Sequence, residues 1–93
     1  MGRAKIIDDL DNVVVSIDEI KKDEVVSFSL SDGSVEEITA LEEIPVFHKL
    51  ARNDIKCGEK IVKYGEHIGE SSRDIKAGEH VHTHNVSSVR ENL

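Results

Sequence analysis

Large aromatic side chains are almost absent: 93 residues carry no Trp, one Tyr and two Phe. Any core is therefore aliphatic, and a chain of this length makes one small domain with little surplus stability. Cysteine occurs once, at Cys57, which excludes an internal disulfide and a cysteine-rich zinc site and suits a reducing cytoplasm. Positive charge is in deficit, with 12 Lys and Arg against 19 Asp and Glu and a formal charge of −7. That balance argues against a nucleic-acid backbone, which needs clustered Lys and Arg, and against an anionic membrane surface. Long apolar runs are missing too. Charge returns at Asp8 and Asp9, too early for a signal-peptide core, and nothing approaches a transmembrane helix. The expectation is a cytoplasmic protein without nucleic-acid or membrane partners. A partner subunit or a second copy covering part of the surface would suit so thin a core.

What is present is self-similarity. Asp54-Ile55-Lys56-Cys57-Gly58-Glu59-Lys60-Ile61 matches Asp74-Ile75-Lys76-Ala77-Gly78-Glu79-His80-Val81, and a weaker copy is Glu19-Ile20-Lys21-Lys22-Asp23-Glu24-Val25-Val26. Each reads as an apolar anchor, a tight turn and a strand. Gly58 and Gly78 supply a left-handed turn position, for which Asp23 is a tolerable substitute. The uneven spacing excludes a regular solenoid and points to one device reused in a compact β domain.

β-Branched runs with alternation predict strands over 12–17, 24–30, 34–40, 60–64 and 79–84. Ser31-Asp32-Gly33 reads as a hairpin loop, 42–45 as a turn that Pro45 terminates, and 64–69 as a turn or kinked strand. Helix is scarce, at most one turn near 71–76. Residues 1–9 read as an N-terminal extension, 10–86 as the domain and 87–93 as a loose tail. Aligning the copies puts Val26, Ile61 and Val81 on the core face, and therefore His80, His82 and His84 on the opposite face.

Those alternate histidines, within His80-Val81-His82-Thr83-His84-Asn85, would stand about 7 Å apart along an extended strand. Imidazoles so placed can ligate a metal or move a proton near neutral pH. A polar strand face of satisfied histidines is the alternative, and the residues alone leave both open. His80 aligns with Lys60 and reads as an exposed side chain. His67 reads as a surface turn residue, Cys57 as a small structural residue aligned with Ala77, and the recurrent Glu59 and Glu79 as structural or solvated.

The motifs taken in order resemble the SAF domain of the altronate and galactarate dehydratases, the UxaA family. They are Ile44-Pro45-Val46-Phe47-His48-Lys49-Leu50-Ala51, Asp54-Ile55-Lys56 with Gly58-Glu59, Lys63-Tyr64-Gly65-Glu66 with Ile68-Gly69, and Asp74 through Asn85. The resemblance spans roughly residues 10 to 86 and implies a mostly β, single small SAF-type β-clip domain. Family members dehydrate sugar acids with a divalent metal, commonly Fe2+, with Mn2+ the other choice. This domain is either fused to a large catalytic domain or a separate subunit, as in the related sulfolactate sulfo-lyases, and the chain reads as the separate type.

The resemblance thus implies a small subunit, inactive alone, of a metal-dependent lyase that converts a sugar acid to a 2-keto-3-deoxy acid with a large catalytic subunit. His48, His82 and His84 are the expected catalytic residues, with His82 and His84 as ligands of a metal shared with that subunit. Lys49 and Asn85 are the expected substrate-binding residues, Lys49 for a carboxylate and Asn85 for a hydroxyl. Two departures stand out. The family usually has Gly where this chain has Phe47, and often Pro where it has His67. Two alternatives remain, a sulfolactate sulfo-lyase small subunit and a non-catalytic metal- or carbohydrate-binding SAF module.

Overall fold

The computed structural model describes residues 4–82 and 84–88. Among these the chain is built of strands and turns without a helix, hence with none long and apolar enough to cross a membrane. The strands are β1 (Ala4–Lys5), β2 (Val13–Ser16), β3 (Val25–Ser29), β4 (Val35–Thr39), β5 (Lys49–Ala51), β6 (Lys60–Lys63), β7 (Glu66–Ser71), β8 (His80–Val81) and β9 (Val86–Ser88). A central antiparallel sheet runs β1-β2-β5-β8, β3 and β4 form a hairpin, and a third sheet runs β6-β7-β9.

The central sheet is buried on both faces, because successive side chains on a strand point opposite ways. Val14 and Leu50 face one apolar cluster with Ala4, Ile6, Ile20, Val26, Phe28, Ile38, Ala40 and Ile44. Their neighbours Val13 and Ala51 face a second cluster with Ile55, Ile61, Ile75 and Val81. This two-sided burial explains why residues 13–15 read as an unbroken valine run rather than an alternation. Val26, Ile61 and Val81 are fully buried, as the repeat alignment predicts.

Most predicted strands are present, slightly shorter. Ser31, Asp32 and Gly33 close the β3–β4 hairpin, with the Leu30 N–H donating to the Ser34 carbonyl at 2.8 Å. Three differences have physical causes. The segment read as an N-terminal extension contributes β1, which pairs Ala4 with Ser16, and buries Ala4 and Ile6. Residues 66–71, read partly as a turn, form β7, which pairs with β6 through a register shift at Ile61/Val62. The expected loose tail begins in order, since Ser87 and Ser88 pair with Glu70 and Gly69; residues 89–93 lie outside the described residues.

Two polar side chains join the lobes. The Asn12 amide donates to the Lys60 carbonyl and its oxygen accepts from the Val62 N–H, both at 2.8 Å. Arg52 makes a two-pronged contact with Glu36 at 3.0 and 2.9 Å and donates to the carbonyls of Asp9 and Asp11. Its guanidinium also lies 5.9 Å from the Phe28 ring centre. The contact lowers the pKa of Glu36 and raises that of Arg52.

Candidate functional site

The turn device occurs four times, not three. In each copy the fifth residue has a positive φ: Asp23 at 70°, Phe47 at 66°, and Gly58 and Gly78 at 89°. The N–H of that residue donates to a strand-end carbonyl, of Ala40, Ser16, Ser71 and Ala51 respectively. The same four strand-end residues donate their N–H groups back to the carbonyls of Glu24, His48, Glu59 and Glu79. The anchors pair across the copies as well, Ile20 with Ile44 and Ile55 with Ile75.

His48 therefore occupies the position held elsewhere by glutamate. In the other copies that carboxylate folds back to accept the N–H three residues earlier: Lys21 to Glu24 at 3.0 Å, Lys56 to Glu59 at 2.7 Å and Lys76 to Glu79 at 3.1 Å. Pro45 has no N–H to satisfy. The cap is unnecessary there, and the side chain at position 48 is released to face β8.

β5 lies antiparallel to β8, with Leu50 opposite His80 and Lys49 opposite Val81. This brings His48 Nδ1 to 2.9 Å from His80 Nε2. The His82 ring centre lies 4.7 Å from that of His48, and the His80 and His82 rings are stacked with centres 5.6 Å apart. One ring nitrogen from each of His48, His80 and His82 lies within 4.8 Å of the others. The His84 ring centre lies 5.4 Å from that of His80. His67 is exposed on β7, in register with Val62.

The predicted strand over 79–84 stops after Val81. The Asn85 N–H donates to the His82 carbonyl at 3.1 Å. The Asn85 side-chain oxygen accepts from the His82 N–H at 3.0 Å, and its amide donates to the His80 carbonyl at 2.8 Å. Asn85 is fully buried. The expectation that it meets a substrate hydroxyl is corrected accordingly: both ends of its carboxamide fasten the histidine turn. Strict alternation along a strand thus does not place His82 and His84. The turn does, and it folds His82 toward His48.

The imidazoles crowd one another electrostatically. His80 is held below its ordinary pKa by burial first and then by the positive charge of His48, against the opposing pull of Glu42, whose carboxylate accepts the His80 N–H at 3.1 Å. His82 is lowered by loss of hydration, then by His48, Lys49 and His84. Lys49 is half-buried on β5, and its pKa is lowered by burial and then by Lys63. Near neutral pH these shifts favour neutral imidazoles with free lone pairs, the state that ligation and proton acceptance require.

The structure thus brings together His48, His82 and, unforeseen, His80. The alignment of His80 with Lys60 had marked it as exposed, yet Lys60 has no imidazole opposite it. The signal was the disguised fourth copy at 43–50, which sets His48 beside the strand carrying His80. Arg52 carried no motif and was not foreseen. Phe47, immediately before His48, is 74% exposed in a left-handed conformation.

Comparison with known proteins accords with this architecture. A family model described as the altronate/galactarate dehydratase SAF domain matches residues 3–89. The "(2R)-sulfolactate sulfo-lyase subunit alpha" of Paracoccus pantotrophus is 43% identical over 60 residues, covering 64% of this chain and 90% of that protein. The altronate dehydratase of Bacillus subtilis (strain 168) is 38% identical over 79 residues, or 84% of this chain and 15% of the relative. That of Escherichia coli (strain K12) is 37% identical over 84 residues, or 90% of this chain and 16% of the relative. The chain therefore corresponds to about one-sixth of the dehydratases and to nearly the whole of the Paracoccus pantotrophus subunit. The match across residues 3–89 leads to one assignment: the chain belongs to the altronate/galactarate dehydratase SAF-domain family.

Proposed function

We propose that this chain is the small subunit of a lyase that removes water from a sugar acid of the altronate or galactarate type, giving a 2-keto-3-deoxy acid, together with a large catalytic subunit. The observation that carries this reading is the convergence of His48, His80 and His82 at one edge of a family domain whose relatives are named as lyase components. Cα–H bonds beside a carboxylate are weakly acidic, so the reaction needs a base, a proton donor for the departing hydroxyl and a positive group near the carboxylate.

His82, exposed and held in the neutral range, is suited to accept the proton from the carbon beside the carboxylate. His48, with its ring centre 4.7 Å from that of His82, and His84, two residues beyond His82, return a proton to the leaving hydroxyl, which departs as water. The enol that remains takes up a proton at the next carbon, gives up its hydroxyl proton and becomes the keto acid. Lys49, beside the cluster on β5, binds the substrate carboxylate. The donor set fits a divalent metal, Fe2+ or Mn2+, shared with the large subunit: three imidazoles converge, and two have pKa values shifted toward the neutral form; with such an ion held, the lone pairs of His48 and His82 would be committed to it, and proton transfer would fall to His84 and the large subunit. His82 is common to this set and to the sequence-based pair of His82 and His84. When bound, such an ion supplies Lewis-acid stabilisation of charge developing on the substrate oxygens.

A second reading keeps these roles and changes the leaving group to sulfite, from sulfolactate. It is favoured by the match to nearly the full length of a sulfo-lyase alpha subunit. Co-expression with the large subunit, followed by assay of altronate, galactarate and sulfolactate with Fe2+, tests both. The complex should turn over one of these acids, the isolated chain none, and His82→Ala should abolish turnover. A complex inactive on all three acids, or fully active with His82→Ala and His84→Ala, overturns the proposal.

A further inference from the structure

We infer that His48, His80 and His82 form a three-imidazole metal site complete enough to take one divalent transition ion in this chain alone, with His84 outside the ligand set. The inference deepens the proposed function, and it rests on that reading only for the use to which the ion is put.

The geometry is near what a metal requires. Metal–imidazole bonds of about 2.0–2.1 Å place tetrahedral ligand nitrogens roughly 3.3 Å apart. His48 Nδ1 and His80 Nε2 already stand at 2.9 Å, and no ligand nitrogen of the three rings is more than 4.8 Å from another. Small side-chain rotations close the remaining gap. The backbone beneath is fixed: the His48 carbonyl accepts from both the Ser16 N–H and its hydroxyl, at 2.8 and 3.1 Å. Asn85 fixes the carbonyl of His80 and the N–H of His82. Little ordering remains for the ion to impose, which is where preorganised sites gain affinity.

The composition selects the ion class. All three donors are imidazole nitrogens, with no carboxylate among them. Such a set suits Zn2+, Co2+, Ni2+ and Fe2+ and discriminates against Mg2+ and Ca2+, which demand oxygen. His48 and His80 are partly buried and His82 is exposed, so the site opens on the His82 side. Three ligands with an open position are the arrangement of a catalytic rather than a structural metal. Among the described residues the converging group is His48, His80 and His82, and His84 stands outside it with its ring centre 5.4 Å from that of His80.

The fourth copy of the turn supplies an independent sign. In the other three copies a glutamate folds back to cap its own turn, a cap for which Pro45 offers no N–H. The pairing of Pro45 with His48 removes the need for a cap and leaves a ligating group pointing at β8.

The test is titration of the tag-free 93-residue chain with Co2+, read by visible d–d absorption and calorimetry, and repeated with Zn2+ and Mg2+. The expected result is one Co2+ or Zn2+ per chain and no response to Mg2+. His80→Ala and His82→Ala should each weaken binding by more than the roughly 10–100-fold that loss of a supporting contact costs, while His84→Ala leaves it unchanged. His48→Glu places at position 48 the residue of the other three turns; with the fold checked by circular dichroism, it should lose the nitrogen-rich cobalt spectrum. No saturable binding by the folded chain, or a loss with His84→Ala equal to that with His80→Ala, overturns the inference. Metal binding by the isolated chain beside an inactive complex would overturn the proposed function alone. Turnover by the complex with no metal bound by the isolated chain would overturn this inference alone.

Discussion

His48 and His80 are 32 residues apart in sequence and 2.9 Å apart between ring nitrogens. At that distance one nitrogen donates a proton and the other accepts it, so the pair is stable with a single shared proton and strained when both rings are fully charged.

Acid should therefore weaken the metal-free fold before its carboxylates titrate. His80 and His82 have folded pKa values below the ordinary 6.5. In that window the unfolded chain binds more protons, so stability rises with pH. The contribution is complete above about pH 6.5 and is lost as pH falls through the lower folded values. Urea midpoints taken between about pH 7.5 and 5.5 should fall on acidification, and His80→Gln should flatten the slope. A midpoint that stays level or rises in wild type would refute the assignment.

Phe47 occupies a glycine position. A left-handed conformation costs a non-glycine residue about 1–2 kcal/mol, while glycine returns roughly 0.4–1 kcal/mol to the unfolded chain. Phe47→Gly should therefore stabilise the isolated chain by about 1 kcal/mol, since a side chain 74% exposed contributes little packing. Denaturant unfolding checks this; a loss of stability would mean that the ring makes contacts the conformation does not reveal.

Gly58 and Gly78 share a φ of 89° but differ in surroundings. A Cβ at Gly58 would meet open space, whereas at Gly78 it would lie 2.0 Å from the Thr39 carbonyl oxygen. Gly58→Ala should cost about 1–2 kcal/mol of conformational strain, and Gly78→Ala should cost clearly more because the β4 end must move. Equal midpoints for the two variants would contradict the close approach of the Gly78 turn to the end of β4.

Asn85→Ala strips partners from the His82 N–H and the His80 carbonyl at a fully buried position. A cost of about 1–3 kcal/mol is expected for each group left unsatisfied and dry. In the complex with a large subunit proposed above, the same variant should lower turnover without touching substrate. Asn85→Asp keeps the oxygen that accepts from His82 and should recover part of the loss.

The repeat located the core with only a few residues of pattern. Val26, Ile61 and Val81 followed from alignment alone, and Asp23 takes the left-handed conformation expected of a glycine substitute. β5 escaped notice because Pro45 and Phe47 disguise the fourth turn and the strand is only three residues long. β1 escaped because two residues with one buried side chain carry no period. The histidine row was legible as chemistry and misplaced as geometry. Alternation assumes an extended strand, whereas a buried amide four residues after Val81 ends it. Arg52 could not be read from pattern, since its partners Glu36, Asp9 and Asp11 come together only in the fold.

The wide sequence separation of paired strands also has a kinetic consequence. β2 must find β5, β5 must find β8, and Asn12 must reach Lys60, 48 residues away, before either lobe is sealed. Topologies dominated by such distant pairings fold slowly for their size. A peptide copying residues 78–86 would carry three imidazoles and still lack His48, and with it the cluster. The His48–His80 contact joins β5 to β8 across 32 residues, so its formation reports that the central sheet has closed.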